Sequence, residues 1–183
     1  MYIERLLETM KHTHKITLSA LSIALVFVAT STLNIQIGTS LTNLGDAFIF
    51  IASCLFGPLV GFIAGSVGSS LADLALGWAH TAIFTFIIKG LEGLVMGLLC
   101  NNIRKQLKTK LVNVSLLVFS LISSLIMITG YFLAEAFFYG SYEVAVVSIY
   151  SNILQATVSI VIFMAIYNLL IRIKMISKIS KEF

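Results

Sequence analysis

Long apolar runs separated by short polar segments organise this chain. They lie at roughly 16–33, 47–57, 58–76, 82–103, 111–139 and 145–171. At about 1.5 Å of rise per residue, most of them reach the ~30 Å thickness of a bilayer's hydrocarbon layer. The second run does not. Its roughly eleven residues cover about half that depth before Gly57-Pro58 interrupts the helix. The segment 46–76 therefore reads as a short span, a tight turn and a full span. The period-2 alternation of an outer-membrane barrel is absent, and helices are the remaining way to satisfy every backbone N–H and C=O in hydrocarbon. The pattern predicts an all-α integral membrane protein of six transmembrane helices with a short second helix, forming a single domain over residues 1–183.

Composition agrees with the pattern. Of 183 residues, 58% are hydrophobic and 11% charged, where soluble domains carry about 25% charged residues. The net charge of +4 does not indicate nucleic acid, because the basic residues are not gathered on one surface. They cluster at Arg5, Lys11 and Lys15, at Arg104, Lys105, Lys108 and Lys110, and at Arg172, Lys174, Lys178 and Lys181, with Lys89 standing apart. With six spans, all three clusters fall on one side of the membrane, whereas the loops at 34–45, 77–81 and 140–144 contain no Lys or Arg. The positive-inside rule then places both the N- and C-termini in the cytoplasm. Residues 1–15 carry Glu4 and Glu8 and lack the apolar core of a signal peptide. Tyr2, Ile3, Leu6, Leu7 and Met10 share one helical face, which predicts a short cytoplasmic interfacial helix, and residues 172–183 form a basic cytoplasmic tail.

Small residues mark close helix packing. Gly57, Gly61 and Gly65 repeat every four residues, as do Gly93 and Gly97, and internal packing is the expected use of these ridges. Ala20 and Ala24 form a similar ridge on the first span, serving either internal packing or a partner helix. Cys54 and Cys100 lie in apolar runs without metal or disulfide spacing and read as packing residues.

Ionisable residues inside a span cost roughly 2.5–3.5 kcal/mol each and usually face a cavity or a partner. Asp46, Asp73, Lys89, Glu92 and Glu135 are the instances. Asp46 and Asp73 fall near outer helix ends and read as structural, Asp46 as a cap for the second span. Lys89 and Glu92 lie deeper, roughly 11 and 16 Å below the outer edge, at a spacing that lets them pair. Thr81, Thr85, Lys89 and Glu92 make one polar stripe, Tyr131 and Glu135 a second, and Ser148, Asn152, Gln155 and Ser159 a third. All three occupy the same depth, which predicts an outward-facing pocket with apolar walls and a few orienting polar groups. Asn34, Gln36, Trp78 and His80 in the outer loops are expected lid contacts.

Several chemistries lack their residues. There is no G-x-x-x-x-G-K-[ST] phosphate loop, so this chain is not expected to hydrolyse ATP. No HExxH occurs, Ser66, Ser69 and Ser70 have no histidine placed beside them, and no metal-ligand spacing is present. No catalytic or metal site is expected, and an enzyme is not the reading.

Three runs carry a family resemblance: Leu44-Gly45-Asp46-Ala47-Phe48, Phe56-Gly57-Pro58-Leu59-Val60-Gly61-Phe62, and Thr85-Phe86-Ile87-Ile88-Lys89-Gly90-Leu91-Glu92-Gly93. With the chain length, the six spans, the short second span and the basic tail, they resemble the substrate-binding S components of energy-coupling factor (ECF) vitamin transporters. The K-G-x-E-G run is similar to the branch with riboflavin-type, pyridoxine-type and hydroxymethylpyrimidine-type members. Ala20-x-x-x-Ala24 matches the motif by which that family's first helix docks on the transmembrane coupling subunit. The resemblance implies a cell-membrane protein that captures a vitamin from outside. It also implies partnership with a coupling subunit and two ABC-type ATPases, which use the ATP, so this chain binds no cofactor.

Counting Lys89, Glu92 and Glu135 as the pocket's charges gives a net of about −1, which disfavours strongly anionic vitamins. A neutral or weakly basic ring is easier to hold, stacked on Tyr131 or Trp78 and hydrogen-bonded by Asn152 and Gln155. A pyridoxine-like or hydroxymethylpyrimidine-like compound is favoured, with riboflavin next. Binding residues are expected to be Asn34, Trp78, His80, Thr85, Lys89, Glu92, Tyr131, Glu135, Asn152 and Gln155. A stand-alone carrier using Lys89, Glu92 and Glu135 for ion coupling, or a structural membrane subunit, are the alternatives.

Overall fold

Each apolar run forms a helix, and a hairpin occupies the longest polar gap between them. The computed structural model describes residues 2–37, 40–101 and 110–173. Helix α1 spans Tyr2–Thr32, and strands β1 (Asn34–Ile37) and β2 (Ser40–Asn43) follow. Next come the short α2 (Gly45–Phe56), α3 (Pro58–Ala75), α4 (Ala82–Asn101), α5 (Lys110–Tyr139) and α6 (Tyr142–Arg172). Five of these are long and apolar enough to cross a membrane, and α2 is the shorter sixth. The chain is an all-α membrane protein, with six helices among the described residues. Arg104, Lys105, Lys108, Lys174, Lys178 and Lys181 lie outside the described residues, and with them much of the charge pattern that predicts sidedness.

Two local features differ from expectation. The loop expected at 34–45 contains an antiparallel hairpin, with Asn34 opposite Asn43 and Ile37 opposite Ser40. Residues 2–32 form one continuous helix, with no break between the segment expected at the interface and the first span. No Gly or Pro falls between Tyr2 and Thr32 to interrupt it.

The turn between α2 and α3 follows from two residues. Gly57 takes φ 100°, a region that side chains avoid, and Pro58 occupies the first turn of α3, where its missing N–H costs nothing. Within α3, Ala64–Gly68 widens into a single π turn. The glycine ridges pack α3 against α4. A Cβ on Gly65 would run into the Lys89 carbonyl, and one on Gly61 would stand 2.7 Å from the Gly93 carbonyl oxygen. Ser53 of α2 donates to that same Gly93 carbonyl at 2.9 Å. Backbone contact of this kind holds helices together where lipid supplies no hydrophobic drive.

The molecule has two unlike ends. Away from the hairpin, Phe50, Cys54, Met96, Cys100, Leu116, Phe163 and Tyr167 pack into an apolar core that joins α2, α4, α5 and α6. Toward the hairpin the interior turns polar. Helix α1 runs along the outside, with 22% of its span buried against 56% for α3.

Candidate functional site

At the hairpin end, two groups of polar residues lie side by side. The first is sealed. Asp46 stands in the first turn of α2, but its carboxylate does not cap that helix. It accepts instead from Lys89 Nζ on α4 through Oδ1, and from Gln155 Nε2 on α6 through Oδ2 at 2.8 Å. Lys89 Nζ also donates to Glu92 Oε2 at 3.1 Å. Asp46 and Glu92 are 0% exposed and Lys89 2%. Charges this deep persist only when paired and hydrogen-bonded, because the desolvation cost of an isolated one is on the order of several kcal/mol. Gln155 continues the network outward, since its Oε1 accepts the Asn43 N–H at 3.1 Å and so ties the end of β2 to α6.

The second group is open. Helix α3 ends at Gly77, whose φ of 85° lets the Trp78 N–H close back on the Asp73 carbonyl at 2.8 Å. The reversal brings α4 back antiparallel beside Asp73. Thr85 Oγ1 donates to Asp73 Oδ2 at 2.6 Å, and the Tyr131 hydroxyl of α5 donates to Thr85 Oγ1 at 3.1 Å. Thr81 Oγ1 shares its proton between Asp73 Oδ2 (3.3 Å) and the Trp78 carbonyl (2.9 Å). The two groups meet at Tyr131, whose ring centroid lies 5.6 Å from Lys89 Nζ.

Above them opens a cavity of about 60 Å³. The end of α3 and the following turn give it Asp73, Trp78 and Thr81, and α4 gives Phe84 and Thr85. Helix α5 contributes Tyr131, Ala134, Glu135, Phe138 and Tyr139, α6 contributes Asn152 and Gln155, and the hairpin contributes Asn43. Apolar and aromatic walls with a few convergent polar groups are the usual make-up of a small-molecule site. The Asn152 Nδ2 donor is buried and has no hydrogen-bond partner among the described residues. An outer aromatic layer closes the rim. His80 stacks on Phe138 at 5.1 Å and lies 5.7 Å from Trp78.

Of the residues expected to bind, Trp78, Thr85, Tyr131, Glu135, Asn152 and Gln155 gather around this cavity. Four do not line it. Lys89 and Glu92 are held in the sealed network, because Asp46 captures the lysine from α2. Asn34 turns its amide back on α1, donating to the Ser31 carbonyl at 2.6 Å and the Thr30 carbonyl at 3.2 Å. His80 sits outside the rim on Phe138. Asn43, Asp73, Phe84, Phe138 and Tyr139 line the cavity without having been among the expected binding residues. For Asp73 a signal existed: Gly77 ends α3, and the returning helix must carry Thr81 and Thr85 past it.

Comparison with known proteins agrees with this architecture. Residues 10–172 match the sequence model of the S component of ECF-type riboflavin transporters. A thiamine precursor transporter, HmpT, of Lactococcus lactis subsp. cremoris (strain MG1363) is 32% identical over 155 residues, covering 83% of this chain and 84% of that protein. An uncharacterized protein in the gap 3′ region of Pyrococcus woesei is 36% identical over 120 residues, covering 66% of this chain and 75% of that one.

Proposed function

The chain belongs to the S component family of ECF-type riboflavin transporters, and from that membership we propose that its cavity captures a small water-soluble vitamin or vitamin precursor for ATP-driven uptake. As a transporter component it is a multi-pass protein of the cell membrane and not an enzyme. The observation that carries the proposal is the convergence of polar groups from α3, α4, α5, α6 and the hairpin on one aromatic-walled cavity. In this reading the hairpin end faces outward and both termini lie in the cytoplasm.

The substrate is a hydroxymethylpyrimidine-like or pyridoxine-like single ring. The similarity to a thiamine precursor transporter supports this, and so does size. A cavity of about 60 Å³ is well below the roughly 300 Å³ at which ordinary ligand sites begin. Binding therefore requires the rim to open, and a single ring asks for less opening than the tricyclic ring and sugar-alcohol chain of riboflavin. Riboflavin is the second reading, favoured by the matching family's description.

Family membership makes this chain a partner of an ECF transport module. We assign the contact with its transmembrane coupling subunit to Ala20 and Ala24, both exposed on α1, with the exposed Leu21, Leu25 and Val28 around them. Small residues on a lipid-facing helix let a second helix approach closely. The two ATPases hydrolyse the ATP, and this chain holds no cofactor.

The test is equilibrium binding by the purified chain in nanodiscs without ATP. Hydroxymethylpyrimidine or pyridoxine should bind at nanomolar to micromolar concentration. The reading fails if no vitamin or precursor binds, and gradient-driven transport by the lone chain in liposomes would replace it with a secondary carrier.

A further inference from the structure

Between the sealed network and the apolar core lies a layer of polar groups that neither of them uses. Lys89 engages one oxygen of Glu92, Oε2. The other, Oε1, is buried with no hydrogen-bond partner among the described residues, and so are the hydroxyls of Ser123, Ser124 and Ser159. Glu92, Ser123 and Ser159 are 0% exposed and Ser124 3%. A serine in an apolar helix ordinarily donates back to a carbonyl of the preceding turn. Ser120 of α5 and Ser148 and Ser151 of α6 do so. Ser123, Ser124 and Ser159, on the same two helices, do not.

Helix register sets these groups at one height. Tyr131 of α5 meets Thr85 of α4, and seven residues farther from the hairpin along each antiparallel helix come Ser124 and Glu92. Asn113 of α5 donates to Asn168 of α6 at 3.3 Å. Counting back toward the hairpin, ten residues on α5 and nine on α6, brings Ser123 and Ser159 to matching height. Lys89 and Gln155 both bond Asp46, and Glu92 and Ser159 follow them by one turn on the same helix faces. The next turn is apolar. Met96 follows Glu92, Phe163 follows Ser159 and Phe50 follows Asp46, and all three pack in one core.

The layer also carries charge. Asp46 and Glu92 share the single ammonium of Lys89, which leaves one negative charge where an uncompensated ion costs on the order of several kcal/mol. Bridging water would satisfy the hydroxyls but leave that charge, and a divalent ion would overshoot it. One carboxylate oxygen with hydroxyls is an all-oxygen donor set, suited to a hard cation rather than a transition metal. We propose that this layer binds one monovalent alkali cation of the Na⁺ class, between Glu92 Oε1 and the hydroxyls of Ser124, Ser123 and Ser159. The ion balances the sealed network and joins α4, α5 and α6 at mid-depth. It stays with the protein rather than crossing with a ligand, because the apolar turn beneath it closes the way inward.

The test is thermal unfolding of the full chain in detergent, without vitamin, as Na⁺ replaces N-methylglucamine at constant ionic strength. A cation bound by the folded chain raises the midpoint steadily with the logarithm of its concentration, by at least about 5 °C between about 1 and 300 mM Na⁺. Glu92→Gln removes the excess charge at nearly constant volume, so it should unfold no lower than the wild type in N-methylglucamine and lose the Na⁺ response. Ser124→Ala should cut the response by about half, whereas Ser120→Ala, whose hydroxyl is already bonded to the Leu117 carbonyl, should keep it whole. A wild-type midpoint indifferent to Na⁺ would overturn the proposal, and one that answers to pH instead would put a proton on Glu92 in place of the ion. An undiminished response in Glu92→Gln, or equal responses in the two serine variants, would also overturn it. If Glu92→Gln does not fold, the contrast between the serine variants decides. None of these outcomes bears on vitamin capture, which is read separately by ligand binding.

Discussion

Asp46 and Asp73 are both carboxylates at helix ends on the hairpin side of the molecule, and the fold surrounds them in opposite ways. Asp46 is fully buried and shares Lys89 with Glu92. Among the described residues, the side chain of Asp73 accepts its hydrogen bonds from hydroxyls, and it opens on the cavity. A buried acid with a lysine is a structural element, because its charge is spent inside the protein. An acid bonded by hydroxyls through one oxygen keeps the other for whatever enters. The same residue type thus ties α2 to α4 in one place and lines the candidate cavity in the other. Gln155 belongs to both, bonding Asp46 on one side and lining the cavity on the other.

Breaking the sealed group should cost the most stability. Lys89→Met leaves Asp46 and Glu92 buried without a counter-charge and should remove about 3–5 kcal/mol, read as a large fall in the unfolding midpoint in detergent. Adding Asp46→Asn to that variant should recover part of the loss, which a cluster unimportant to the fold would not show. Gln155→Leu comes next. It strands one Asp46 oxygen and the Asn43 N–H, so a loss of about 1–3 kcal/mol is expected, together with weaker ligand binding in the same titration. Asp73→Asn should move the unfolding midpoint by less than Gln155→Leu does, yet weaken binding of hydroxymethylpyrimidine by about ten-fold in the same titration. Equal stability losses at Asp73 and Lys89 would erase the contrast between the two groups. Ala20→Trp, on the exposed face of α1, should change neither stability nor binding, while abolishing uptake in cells that carry the coupling module.

The helices were legible because each apolar run has the length of a span, and Gly57-Pro58 marks the one sharp turn inside them. Much of the cavity was legible too. Polar residues at helical spacing on three different runs, set at equal depth, have to face one another. Partner choice was not. Nothing in the spacing of Lys89 and Glu92 shows that Asp46, 43 residues earlier, takes the same lysine. Since helix-to-helix register is set by packing, the pairing appears only once Gly61, Gly65 and Gly93 have brought α3 against α4. The hairpin was missed although a signal was present. Asn34-Ile35-Gln36-Ile37 and Ser40-Leu41-Thr42-Asn43 flank a two-residue Gly38-Thr39 link, a length that suits a hairpin. Strands of four residues, however, are too short to stand out beside 20-residue apolar runs.

The central claim is that the cavity at the hairpin end captures a vitamin-type small molecule. Mass spectrometry of small molecules released from the freshly purified chain addresses it most directly. The account expects one water-soluble, single-ring vitamin or precursor at near-stoichiometric amount, reduced sharply in Asp73→Asn. Release of no such compound, together with no binding of added vitamins at millimolar concentration, would contradict it.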